Sequence, residues 1–122
     1  MNPNQEMNLG TINVSDEVVA NIASIAALEV KGVAGLSKGM ISKILPGSQA
    51  KGVKAEVGQR EAALDISIIV DYGVSIPEVA CQIQENVKKN VEAMTGLSVV
   101  EVNVYVVGAK EKEEKKKPKR VE

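Results

Sequence analysis

Apolar and polar residues alternate most cleanly between Ala62 and Val107, and the period of the pattern changes twice within that stretch. Leu64, Ile66, Ile68, Val70 and Tyr72 share one face of a predicted strand, opposite Asp65, Ser67 and Asp71. Ser75-Ile76-Pro77-Glu78 then reads as a capping box: the Ser75 hydroxyl serves the Glu78 amide, the Glu78 carboxylate reaches back, and Val74 and Val79 flank it as a hydrophobic staple. A helical stripe follows through Val79, Ile83, Val87 and Met94. Gly96 predicts its end, because glycine takes the left-handed conformation without steric cost, and Leu97 can fold back onto Val91. Val100, Val102, Val104 and Val106 then alternate down a second strand.

The chain before this unit is less regular. Leu9 to Val14 (LGTINV) predicts a short strand with Ile12 and Val14 facing the core. Ser15 caps a helix over Asp16–Val30, and Asp16 and Glu17 complement its positive end. Val18, Val19, Ile22, Ile25 and Ala26 form its broad apolar arc, while Ala20, Asn21, Ser24 and Ala27 fill the other side. So thin a polar face suggests burial on a second side as well. Val30–Leu36 gives a short strand interrupted by glycine. Ser37–Ala50 is an insert in which Met40, Ile41, Ile44 and Leu45 could form a helical turn or two before Pro46-Gly47. Val53, Ala55 and Val57 alternate in a further strand, and Gly58–Glu61 turns it into the long one.

The resulting order is β-α-β-β-β-α-β. Strands with one apolar and one polar face imply an α+β fold, a two-layer sandwich of a mostly antiparallel sheet with two main helices on one face. The expected domain is 9–108, preceded by a flexible start at 1–8 and followed by a charged, disordered tail at 109–122.

At 122 residues the chain can bury a core without disulfides or metal. It contains no His, Phe or Trp and two Tyr, which rules out imidazole chemistry and weakens any reading that needs aromatic platforms for bases. The one cysteine, Cys81, lies on the polar side of its helix and has no disulfide or histidine partner; a free thiol suits a reducing cytoplasm. The start MNPNQEMN does not resemble a signal peptide, and no apolar run reaches the roughly 18–20 residues that cross a bilayer. The net charge of −1 conceals a mildly acidic domain and a basic end.

Candidate chemistry is sparse. Asp65 and Asp71 share a strand face but are six residues apart, roughly 20 Å at strand rise. Paired carboxylates of glycosidase type need about 5–9.5 Å. Glu101 could approach either one across strands. No phosphate loop, nucleophile elbow or paired-cysteine motif occurs. No catalytic, metal or cofactor residue is therefore assigned. The polar sheet face, comprising Lys54, Glu56, Asp65, Ser67, Asp71, Glu101, Asn103 and Tyr105, is the candidate interaction surface. In the tail, Lys115, Lys116, Lys117, Lys119 and Arg120 form the one true basic cluster, open to solvation, to anionic lipid or to RNA. Gly32-Val33-Ala34-Gly35 matches the bare G-x-x-G of a KH domain, and a KH-like RNA binder is the alternative reading.

Three stretches in order resemble the bacterial alkaline shock protein family, the general stress proteins of Gram-positive bacteria. They are Asp71-Tyr72-Gly73, Val87–Gly96 (VKKNVEAMTG) and Val102–Val106 (VNVYV), within a likeness over about residues 9–108. GVSIP and QEN are similar to the branch whose members accompany acetyl-CoA carboxylase genes. The resemblance implies a non-enzymatic, cytoplasmic protein of cell-envelope homeostasis that self-associates and binds a membrane-anchoring protein. For that branch it also implies a link to acetyl-CoA carboxylase subunits and fatty-acid synthesis. It brings no catalytic residues. The segment Ser37–Ala50 is where members differ, so nothing carries over there.

Overall fold

The computed structural model describes residues 9–37 and 52–111. Six elements follow in order: α1 (Asp16–Leu28), β1 (Val33–Leu36), β2 (Val53–Val57), β3 (Glu61–Asp71), α2 (Ile76–Thr95) and β4 (Ser98–Lys110). The architecture is the expected α+β sandwich, one sheet with both helices packed on it.

β3 is the centre of the sheet. One of its edges is occupied along its whole length by β4, from Glu61↔Ser98 to Asp71↔Lys110. The other edge is shared end to end by β2, antiparallel over Ala62–Ile66, and β1, antiparallel over Ile68–Val70. The break between β1 and β2 sits at Ser67, whose amide donates to Gly52 O (2.9 Å) and whose carbonyl accepts from Ser37 N (2.9 Å). The insert 38–51, with its expected helical turns, lies outside the described residues. The β3–β4 ladder is parallel. A 20-residue helix rises about 30 Å, which returns the chain from the end of β3 to its start, so the next strand must run the same way.

α2 has one half of the capping box predicted for it, the Ser75 side chain, without the return bond to the Glu78 carboxylate. Ser75 Oγ accepts from Glu78 N, and the helix stops at Gly96 with φ 78°. Its buried stripe is Val79, Ile83, Val87 and Val91. Val91 completes the row; Met94 lies a turn further on and is exposed, beyond the sheet. Against the stripe pack Leu64, Ile66, Ile68 and Val70 from β3.

Four expectations are corrected. Residues 9–14 form no strand, and Ile12 is 63 % exposed; Val14 is only half-buried against the core. Residues 9–14 pair with no strand of the described residues, and alternation without a partner does not make a strand. In α1 the buried face is Val19, Ala20, Ala23, Ala26 and Ala27, whereas Ile25 is 62 % exposed. Small side chains let α1 lie close to both the sheet and α2, so size rather than hydrophobicity selects the face. Asp16 Oδ1 accepts from Val57 N (3.2 Å) at one end of α1, and Asn86 Nδ2 donates to Ala26 O (2.8 Å) at the other. Third, a register shift between Ala62 and Ala63 turns Val100 outward, 56 % exposed, and puts Val99 in the core. Fourth, Tyr72 falls past the end of β3 and is exposed. At the other terminus, β4 continues through Ala109 and Lys110, opposite Val70 and Asp71.

Candidate interaction surface

The face of the sheet turned away from the helices is built from alternate residues of β3 and their cross-strand neighbours. The pairing Lys54↔Asp65↔Asn103 forms one row across three strands, and Glu56↔Ala63↔Glu101 forms the next. Two separate groups of polar contacts lie in these rows, Asp65–Asn103–Glu101 and Lys54–Glu56. Asn103 Nδ2 donates to Asp65 Oδ1 (2.9 Å) and to Glu101 Oε2 (3.1 Å), so one amide group ties two carboxylates together. Lys54 Nζ lies 2.6 Å from Glu56 Oε2. That hydrogen bond, with the lysine charge behind it, holds the Glu56 carboxyl below its usual pKa. Glu101 thus meets Asp65, through Asn103, and not Asp71.

The other three residues of the face stand apart. Ser67 is 0 % exposed, and its Oγ has no hydrogen-bond partner among the described residues. It is not accessible to a partner as the sequence suggested. Tyr105, its cross-strand neighbour, is exposed. Asp71 ends β3 six residues beyond Asp65, opposite Lys110. Lys115, Lys116, Lys117, Lys119 and Arg120 lie outside the described residues.

Gly32-Val33-Ala34-Gly35 is not a helix–helix loop. Val33 and Gly35 are in β1, paired with Val70 and Ile69, and the Gly32 carbonyl accepts from Asp71 N (2.8 Å). A KH loop must present its backbone to phosphates, and here that backbone is committed to the sheet. Cys81 is exposed on α2. An open cleft of about 440 Å3 lies where α1 ends beside α2, rimmed by the mixed charges of Glu29, Lys31, Glu85 and Lys89. Among the described residues no helix is long and apolar enough to cross a membrane.

One feature escaped the sequence reading. The outer edge of β4 is sealed over its first third by three residues of α2. Val99 N donates to Glu92 Oε2 (2.8 Å), Lys88 Nζ donates to Val99 O (3.1 Å), and Gln84 Nε2 donates to Val102 O (3.0 Å). Lys88 also pairs with Glu92 (3.0 Å). The Val99 amide and then Lys88 hold the Glu92 carboxyl below its usual pKa. The spacing of Gln84, Lys88 and Glu92, four residues apart beside the buried stripe, is the signal that could have revealed it.

Comparison with known proteins agrees with the resemblance. The uncharacterized protein YqhY of Bacillus subtilis is 36 % identical over 108 residues, covering 85 % of this chain and 80 % of that protein. A stress response regulator gls24 homolog of Streptococcus pyogenes is 33 % identical over 110 residues, covering 86 % of this chain. This chain spans 62 % of that regulator's length. Solved structures of the MamM CTD match 75 % of this chain and 93 % of theirs, at 22 % identity and a TM-score of 0.47. The model of the alkaline shock protein 23 family, described by a cell envelope-related function, matches residues 4–111, and the chain belongs to that family.

Proposed function

We propose that the protein is a non-enzymatic interaction protein of cell-envelope stress homeostasis, and that it makes its contacts through the open sheet face. The observation carrying this reading is the Asp65–Asn103–Glu101 cluster with the Lys54–Glu56 ion pair on neighbouring rows. It is a pre-ordered patch of mixed charge on a rigid sheet, with no helix of the described residues over it. Such a patch gives a partner fixed hydrogen-bonding groups at little ordering cost. Asp71 and Tyr105 extend the same face, on which Ser67 is buried.

Absence of enzymatic activity is part of the reading. The chain has no histidine, and its facing carboxylates share an amide donor on an open surface instead of lining a cleft. The stress-regulator name of one relative and the likeness of GVSIP and QEN to the carboxylase-associated branch support two partner classes, a membrane-anchoring protein and acetyl-CoA carboxylase subunits. In the second case the protein regulates fatty-acid synthesis. It works from the cytoplasm, peripheral to the membrane through its partner, and assembles with itself.

The test is cross-linking in cells followed by denaturing purification, comparing the wild-type protein with a Glu56→Lys/Glu101→Lys variant. Membrane or carboxylase proteins should be captured by the wild type and lost from the variant, whose melting temperature should stay close to that of the wild type. Capture of the same proteins by both would reject the open face as the contact surface.

A further inference from the structure

The sheet has one long edge that is only partly closed. In a parallel ladder, successive residues turn their N–H and C=O groups alternately towards the neighbouring strand and away from it. Ser98 and Lys110 of β4 face β3, since Ser98 N donates to Arg60 O and Lys110 O accepts from Tyr72 N. Val99 and Val102 face outward, where Glu92, Lys88 and Gln84 serve them. Their three-residue separation reflects the register shift at Val100. From Glu101 to Val106 the register with β3 is regular, so Val104 and Val106 also turn outward. Among the described residues nothing pairs with them.

The seal stops for a reason visible in α2. One turn before Gln84 stand Ala80 and Cys81, followed by Pro77, and none carries a strong donor that could reach a carbonyl. The unsealed edge at Val104 and Val106 lies within Val102–Gly108, VNVYVVG, which has no charge and no proline, the usual protections of an edge. Val107 and Tyr105 on it are exposed apolar side chains.

We infer that this edge pairs with the same edge of a second copy of the chain, antiparallel, with Val104 on the twofold axis. This rests on the reading of the protein as one that assembles with itself. The segment V-N-V-Y-V is self-complementary about Val104. Reversal sets Val102 opposite Val106 and Val104 opposite itself on the helix side, and Asn103 opposite Tyr105 on the open side. Val102, Val104 and Val106 turn backbone groups outward, and Val102 O is already held by Gln84, so the pairs 102–106, 104–104 and 106–102 contribute up to about four bonds. A charged partner would find no complementary charge between Glu101 and Lys110, whereas a second copy needs none. The register shift at Val107 ends the regular edge on one side and Gln84 marks the other, which fixes the register. The two four-stranded sheets then join in one continuous sheet, with their open faces on the same side.

Sedimentation equilibrium of the full chain should give twice the 12.9 kDa chain mass, with little dependence on salt because no charge is paired. Val104→Pro removes an outward amide while leaving the β3 ladder intact, and should give a monomer that keeps its circular dichroism. In a Cys81→Ser background, Val104→Cys should oxidise to a covalent dimer, since hydrogen-bonded pairs hold Cα atoms about 5.5 Å apart, within disulfide reach. Glu101→Cys should not self-link. A monomeric wild type overturns both the edge pairing and self-assembly. A wild-type oligomer whose Val104→Cys variant does not cross-link overturns the edge pairing alone and assigns assembly to another surface.

Discussion

Replacing Gly52 by alanine tests how the two half-strands are held on β3. Gly52 has φ +83°, and a Cβ built on it would lie 2.7 Å from Ser37 O and 2.9 Å from Ser37 N. The obstacle is backbone, itself pinned through Ser37 N to Ser67 O, so it cannot swing aside. Gly73→Ala is the matched reference: φ is +98°, with nothing within 4 Å of the added carbon. It should cost only the left-handed strain, about 1–2 kcal/mol. Gly52→Ala adds overpacking, about 1–3 kcal/mol, for a total of roughly 2–5 kcal/mol. That is a large share of the roughly 5–15 kcal/mol typical of a domain. At about 4–8 °C per kcal/mol, Gly73→Ala should lower the melting temperature by about 10 °C and Gly52→Ala by about 20 °C. Gly35→Ala, with an ordinary φ and no atom within 4 Å, should leave it unchanged or slightly raised. Thermal unfolding followed by circular dichroism measures all three. Equal losses at Gly52 and Gly73 would refute the claim that the Ser37–Gly52 approach joins β1 and β2 into one broken edge.

Three further predictions concern side chains. Ser75→Ala removes the acceptor for Glu78 N and should cost about 1 kcal/mol, read as a lower urea midpoint with unchanged m-value. Glu92 has its pKa lowered in the folded protein, so its contribution is full above the unfolded carboxylate pKa and disappears as pH falls through the folded one. Glu92→Gln should therefore be less stable than wild type at pH 7, and the difference should close in acid; a constant difference at all pH values would disprove the ionic role. Asn103→Asp places a third carboxylate between Asp65 and Glu101 and should cost about 1 kcal/mol at neutral pH. Like charges raise the pKa of the introduced group, so denaturation at falling pH should show the loss recovered as it takes a proton.

What could be read from the sequence was whatever depends on local order. The Ser75 cap, the stop at Gly96 and the alternation of Leu64 to Val70 were legible because each is set by neighbours a few residues away. The misreadings arise where the deciding partner is distant. LGTINV alternates but pairs with no strand of the described residues. Val100 continues a perfect alternation that a single register shift at Ala62/Ala63 cancels. In α1 both faces are apolar enough to be buried, and only the closeness of α2 selects the alanines. The open face was found because its members alternate with core residues, but alternation carries no information about which of them touch. That Asn103 reaches both Asp65 and Glu101 while Asp71 stands apart depends on cross-strand register, which no single strand encodes.

The two functional surfaces inferred for this chain have a common origin in the crossover from β3 to β4. Because α2 returns the chain to the start of β3, β4 becomes an edge of the sheet, and the same helix must both cover the sheet and close that edge. A helical period of 3.6 residues allows this: Ile83, Val87 and Val91 face the core, and Gln84, Lys88 and Glu92, each one position later, lean over the edge. The arrangement fails where the second row runs out at Ala80. Placing a glutamine there, Ala80→Gln, would extend the row by one turn towards Val104. It should compete with a second copy for the outward carbonyls and shift the sedimenting species towards monomer, leaving the Asn103 network on the opposite face untouched. If that substitution leaves the assembly unaltered, closure of the β4 edge by α2 is not what limits pairing there.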